Sequence, residues 1–156
     1  HWQIVGLTYN REWLLLYQDN QLARVRTDGS LFEVVVKFPQ GNYSDPRSSF
    51  PNTSYSLDGN FLVASTYDDT YTNQWLYLAN METKEIIEID SSSDSTRCCG
   101  VIPNGWSPNN EYFLCAKSTA MNEPLASLVD AKGRIIMDDA LHGRWFLGWV
   151  TLDELP

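Results

Sequence analysis

The chain holds 156 residues, 43% of them hydrophobic, 13% aromatic and 20% charged, which is ample apolar material for one packed core and excludes disorder as the dominant state. Eleven lysines and arginines against twenty acidic residues leave a net charge of −9, and such a surface repels phosphate backbones and anionic lipid, so no nucleic-acid partner is expected. No apolar run nears the roughly 20 residues of a membrane-crossing helix and no basic-then-apolar leader stands at the front, so a soluble segment without membrane insertion is expected. It opens at His1 and not at Met, as a processed product or an excised piece would, and an extracellular or periplasmic setting is favoured.

In chain order, the apolar runs are short and separated by turn residues. The first unit reads Gln3 to Leu7, Trp13 to Tyr17, Leu22 to Arg26 with period-2 alternation, and Leu31 to Val36, with Asp19-Asn20 and Asp28-Gly29 as turns; alternation of this kind between turn residues is the pattern of antiparallel strands. A second unit gives strands over Phe61 to Tyr67, Trp75 to Ala79 and Ile86 to Ile89. The third gives Tyr112 to Lys117, Leu125 to Val129 and Arg134 to Met137, with Lys132-Gly133 turning between the last two. Gly143 to Val150 reads as one more strand, and Gly148, Val150 and Thr151 argue against a helix there. No apolar 3.6-residue period persists between caps, so the chain is expected to be all-β.

The units repeat. Ser56-Leu57-Asp58-Gly59 leads into Asn60-Phe61-Leu62-Val63, and Ser107-Pro108-Asn109-Asn110 leads into Glu111-Tyr112-Phe113-Leu114. Weaker copies are Tyr9-Asn10-Arg11-Glu12 before Trp13 and Thr151-Leu152-Asp153-Glu154 before Leu155. Between Glu12, Gly59, Asn110 and Glu154 the spacings are 47, 51 and 44 residues, close to the length of a propeller blade. The expected architecture is therefore a partial β-propeller of consecutive four-stranded antiparallel meanders, forming a single segment over 1–156 with blade-like units at about 1–38, 49–90 and 100–139 and the start of a further strand or blade at 143–156.

The turn at 56–59, its relative at 107–110 with Trp106 before it, and the Leu76-Tyr77-Leu78 to Glu82-Thr83-Lys84 run resemble blades of TolB-like, WD-repeat-like β-propellers, in which a Trp-Ser-Pro-Asp-Gly turn precedes the second strand of each blade. Asp-Gly survives here only at Asp58-Gly59. Rings close with about four to eight blades, so three and a fraction call for completion, either by the remaining blades of a larger chain or by self-association, because open blades leave apolar faces and unpaired edges.

In such a meander the tight turns collect at one end, and the longer connections at the other: 68–73, 118–124, and the links 39–49 and 90–100. Long loops on a rigid sheet are where binding is built. Asp68, Asp69, Tyr71, Trp75, Asp94, Arg97 and Glu123 are accordingly the candidate partner-binding residues, facing a protein or peptide. The rival view is that these are solvated loops with no ligand.

Chemistry is scarce. There is no Gly-x-Ser-x-Gly elbow, no phosphate-cradling glycine motif, and of the two histidines one is terminal and the other, His142, lies in a loop. Asp68-Asp69 and Asp138-Asp139 lack the spacing of a calcium loop, and neighbouring side chains there point apart, so they are expected to be solvated turn charges. Cys98, Cys99 and Cys115 form no CxxC pair, which argues against zinc; they are three small buried hydrophobes, or Cys115 bridges to Cys98 or Cys99. Asn42-Tyr43-Ser44 and Asn52-Thr53-Ser54 fit the glycosylation pattern, which matters only in a eukaryotic secretory protein. Six tryptophans and eight tyrosines suit blade packing more than sugar stacking.

Neither a cofactor nor a metal is expected, and the leading expectation is a non-catalytic propeller scaffold that binds a protein or peptide through loops on one face. The alternatives are the substrate-gating propeller portion of a larger prolyl oligopeptidase-like serine hydrolase, which the TolB-like resemblance implies, and a carbohydrate-binding module using rim aromatics.

Overall fold

A computed structural model of the chain describes residues 2–8, 11–18, 20–39, 53–67, 74–89, 98–117, 125–141 and 148–149. Among these, all regular structure is strand: β1 (Gln3–Leu7), β2 (Trp13–Gln18), β3 (Gln21–Arg26), β4 (Phe32–Lys37), β5 (Thr53–Tyr55), β6 (Phe61–Tyr67), β7 (Gln74–Asn80), β8 (Ile86–Ile89), β9 (Cys98–Trp106), β10 (Tyr112–Lys117), β11 (Ala126–Asp130) and β12 (Ile135–Met137). They form three four-stranded sheets, β1-β2-β3-β4, β5-β6-β7-β8 and β9-β10-β11-β12, antiparallel throughout. Through Met137, the expected strands lie where the short apolar runs between turn residues put them. The opening strands of the second and third sheets, β5 and β9, carry no such alternation: one is the polar triplet Thr-Ser-Tyr, the other contains Gly100, Pro103 and Gly105. Gly148 and Trp149 are not in a strand, and the rest of the expected strand over 143–150 and the turn at 151–154 lie outside the described residues.

The three turns that enter the second strands share one hydrogen-bonding scheme. The backbone N–H of Thr8, Ser56 and Ser107 donates to the carbonyl five residues on, at Trp13, Phe61 and Tyr112, over 2.9, 3.0 and 2.8 Å. The N–H of those later residues returns to the hydroxyl oxygen, at 3.1, 2.9 and 3.0 Å. Asp58 Oδ1 and Asn109 Oδ1 accept from the serine hydroxyls at 2.5 and 2.7 Å, so the short polar side chains compete locally for the backbone and hold it in a turn. The residue three positions after the hydroxyl is left-handed in each: Arg11 (φ 59°), Gly59 (φ 75°) and Asn110 (φ 59°). The first unit is thus offset by one residue from the sequence comparison, with Arg11 and not Glu12 matching Gly59 and Asn110.

This equivalence aligns the sheets and shows how they stack. Cross-strand partners share a face, so Leu14 with Val25 and Leu16 with Ala23 in the first sheet match Leu62 with Ala79 and Ala64 with Tyr77 in the second, and Phe113 with Val129 and Cys115 with Ser127 in the third. In the second sheet this face packs back on the first: Leu62, Ala64, Tyr77 and Ala79 form one core with Tyr17, Leu22, Val35, Val36 and Phe38. In the third it packs back on the second, where Trp106, Phe113, Cys115 and Val129 meet Val63, Leu76, Leu78 and Ile89. Each seam is therefore one sheet's forward flank against the next sheet's rear flank. Phe38 stacks on Tyr77 with centroids 5.5 Å apart in the first seam. Trp106 lies between Phe61 (5.8 Å) and Phe113 (4.9 Å) in the second, its indole N–H donating to the Ser54 carbonyl at 3.3 Å.

Polar links run beside the cores. The side-chain amide oxygen of Asn110 accepts from Leu57 N–H at 2.7 Å, joining successive turns. Arg24 pairs with Glu33, and Lys84 of the second sheet lies 3.8 Å from the same carboxylate. Burial pushes the phenol of Tyr55, packed at the first seam, well above the ordinary tyrosine range, despite the opposing field of Arg24.

Candidate functional site

The strand directions sort the connections into two ends. At the first end the turns are tight and self-satisfied: Asp28 Oδ1 accepts from Ser30 N–H at 2.8 Å, Asn80 Oδ1 from Glu82 and Thr83 N–H at 2.9 Å each, and Asp130 Oδ1 from Lys132 and Arg134 N–H at 2.9 Å each. At the second end stand the termini of β2 and β3, β6 and β7, β10 and β11, the ends of β4 and β8, and the beginning of β9. The expected rim residues Asp68, Asp69, Tyr71, Asp94, Arg97 and Glu123 lie outside the described residues; the described strands that flank them, ending at Tyr67 and Lys117 and starting at Gln74, Cys98 and Ala126, all stop at this second end. Trp75 lies in β7 opposite Thr66, half-buried, and packs against the seam between the first two sheets.

The supports of this end are well resolved in chemistry. Lys117 closes β10, its side chain only 3% exposed, and its ammonium pairs with Asp138 and, at 2.9 Å, with Asp139. Ser127 Oγ donates to Asp138 Oδ1 at 2.5 Å. Adjacent carboxylates were expected to point apart into solvent, but Asp139 takes a left-handed backbone (φ 51°), and that reversal brings both side chains to one cation. A buried ammonium left unpaired is costly, and two carboxylates offset that cost. Burial opposes the charge on Lys117, yet its bonds to Asp138 and Asp139 hold the ammonium above the usual lysine range; the same bond, with that from Ser127, holds Asp138 below the usual carboxylate range.

Two further ties secure the loop bases. Cys115, fully buried in β10, is in a disulfide, and the chain's other cysteines are Cys98 and Cys99, at the start of the neighbouring strand β9. Asn20, at φ 58°, donates its side-chain amide to the Phe38 carbonyl at 3.1 Å and accepts the Phe38 N–H at 2.9 Å, fixing the β2–β3 turn to the beginning of the 39–52 link.

A feature that sequence reasoning missed lies across the second seam toward the first end. It is a groove of about 360 Å³ with Phe61, Leu78 and Ile87 as its apolar floor and Glu85 and Lys132 on its walls. Of its lining residues, Lys132 belongs to the turn Lys132-Gly133 that the sequence shows. Among the described residues, no group of three or more His, Cys, Asp or Glu side chains converges to hold a metal ion.

Three stacked meanders with repeated entry turns define a partial β-propeller, and the comparisons agree. No protein-family model matches the sequence, and no curated protein matches it. Among solved structures, dipeptidyl peptidase 4 of Porphyromonas gingivalis aligns over 90% of this chain with a TM-score of 0.63 at 13% identity. TolB from Acinetobacter baumannii aligns over 83% with a TM-score of 0.53 at 16% identity. The chain spans 26% and 29% of the lengths of those two proteins. The fold is an all-β, TolB-like partial propeller.

Proposed function

We propose that this chain is a non-catalytic propeller segment that presents the loops of its second end to a protein or peptide partner. The observation in support is the reinforcement of the loop bases: the Cys115 disulfide, the Lys117–Asp138–Asp139 cluster and the Asn20–Phe38 clasp all lie at the end with the long connections. A rigid frame lowers the ordering cost of binding and leaves the loops free to vary. Asp68, Asp69, Tyr71, Asp94, Arg97 and Glu123 form the contact rim, with Trp75 as its inner support. Panning a displayed peptide library on the chain tests this: binders are expected to be lost with Tyr71→Ala and with the double variant Asp69→Ala, Glu123→Ala, and kept with Lys132→Ala at the opposite end. Retention in the rim variants with loss in Lys132→Ala would refute it.

A second reading is that the segment belongs to the gating propeller of a larger serine hydrolase. The similarity to a dipeptidyl peptidase 4 structure favours it. An elbow serine motif encoded in the same open reading frame supports it, and a complete frame without one rules it out.

A further inference from the structure

We propose that the groove across the second seam is a binding site for a free α-amino acid with a large apolar side chain. The repeat explains why the groove is there. By strand register, Trp13, Arg24, Arg26 and Glu33 of the first sheet match Phe61, Leu78, Asn80 and Ile87 of the second, and the left-handed Lys84 of the turn before β8 matches the left-handed Gly133 of the turn before β12. In the first seam this place is filled from within the chain. The guanidinium groups of Arg24 and Arg26 lie over the Trp13 indole at 4.3 and 4.9 Å, and Lys84 reaches across from the second sheet toward Glu33, which already pairs with Arg24. In the second seam the matching side chains are short or missing. A Cβ on Gly133 would stand 2.9 Å from Ile87 Cγ2, so this turn sits close on the floor and sends no side chain over it, and a space of about 360 Å³ is left. Both sheets that frame it are complete four-stranded meanders, and the opening belongs to the seam itself.

Floor, walls and size select the occupant together. The floor of Phe61, Leu78 and Ile87 takes an apolar group, as the floors of small-molecule sites do. The walls carry one charge of each sign, Glu85 from the second sheet and Lys132 from the third, and among the described residues neither side chain enters a hydrogen bond or an ion pair. A ligand with a single charge would meet a like charge as well as an opposite one, whereas an amino acid sets its ammonium toward Glu85 and its carboxylate toward Lys132. Asn80 also lines the groove; its Oδ1 accepts from the Glu82 and Thr83 N–H groups, which leaves its amide N–H groups for that same carboxylate. The volume stands at the small end for ligand sites, which suits one amino acid and not a folded partner. Both wall charges are solvent-exposed and each adds little on its own, so the apolar floor supplies most of the affinity and the dissociation constant is roughly 1 mM. The groove lies at the other end from the loop rim, and the proposal is independent of the loop-binding function above.

Nuclear magnetic resonance titration of the isotope-labelled chain with L-phenylalanine to about 20 mM, well beyond that dissociation constant, is the test. The expected result is saturable movement of the Asn80, Glu85, Ala131 and Lys132 amide signals. N-acetyl-L-phenylalanine lacks the ammonium and L-phenylalaninamide lacks the carboxylate, and each is expected to bind about 2–5-fold more weakly. L-alanine, which cannot cover the floor, is expected to bind about 10-fold more weakly or worse. Glu85→Gln should abolish the penalty for acetylation and keep that for amidation, and Lys132→Met should do the reverse. Lys84→Met, which removes the same charge at the first seam, is expected to leave every constant unchanged. Both groove variants alter exposed side chains, thermal melts show that each folds, and either one is decisive if the other does not. Signals that fail to saturate, movement confined to the second end, equal binding of all three phenylalanine compounds, or an acetylation penalty that survives Glu85→Gln overturns the proposal.

Discussion

Removing Trp106 probes the joint on which the stacked arrangement depends. Its side chain is 3% exposed, sits between Phe61 of the second sheet and Phe113 of its own, and donates to the Ser54 carbonyl on β5 at 3.3 Å. Trp106→Ala removes the largest side chain of the second seam and leaves a cavity that β-sheets on either side cannot close, so the expected loss is about 3–5 kcal/mol. Trp106→Phe restores most of the ring contact but orphans the Ser54 carbonyl, which adds about 1–3 kcal/mol to a smaller loss of area. For a chain of this size 1 kcal/mol corresponds to roughly 2–4 °C, so the alanine variant is expected to melt about 6–20 °C below wild type and the phenylalanine variant between the two. Urea titration followed by tyrosine fluorescence and far-ultraviolet circular dichroism reads both changes. A loss below about 1 kcal/mol for Trp106→Ala, far under the range for a buried tryptophan, would mean that the second and third sheets do not share a core.

Other perturbations follow from single features. Gly133 (φ 77°) would place a Cβ 2.9 Å from Ile87 Cγ2, whereas Gly29, at the same φ, has open space; thermal melts should show Gly29→Ala costing about 1–2 kcal/mol and Gly133→Ala at least about 1 kcal/mol more. Reducing the Cys115 disulfide opens a loop of under 20 residues and is expected to lower stability by about 3 kcal/mol; of Cys98→Ser and Cys99→Ser, one should reproduce that loss and the other should not, as free-thiol counts will show. Acidification should destabilise the fold below the ordinary carboxylate range, because Asp138 and Asp130 are held below it: their contribution is complete above about pH 4 and is lost as pH falls through the lower folded values. Lys117 has the opposite sign, contributing fully below about pH 10.4 and losing that contribution as pH rises through its raised folded value. Melts of Lys117→Met across pH should therefore lose the alkaline limb and part of the acid one; an unchanged profile would contradict the cluster.

Local rules made the strands and turns legible from the amino-acid order. Alternation within Leu22 to Arg26 and the Ser-x-Asp and Ser-x-Asn turns act over a few residues, through pleat and side-chain hydrogen bonds, and the repetition of the units every 44 to 51 residues already implied stacked meanders. What escaped was whatever depends on a neighbour distant in sequence. The opening strands β5 and β9 have almost no pattern of their own and are ordered by pairing with β6 and β10. Asp138 and Asp139 look like surface charges until a left-handed residue turns both toward Lys117. Leu14, Leu62 and Phe113 are interchangeable as letters in a pattern, since each is an apolar residue six positions after a turn hydroxyl. Only the stacking of one sheet on the next decides that Leu62 and Phe113 are core while Leu14, with no preceding sheet against it among the described residues, is half-buried, because burial is a property of what lies opposite and not of the residue itself.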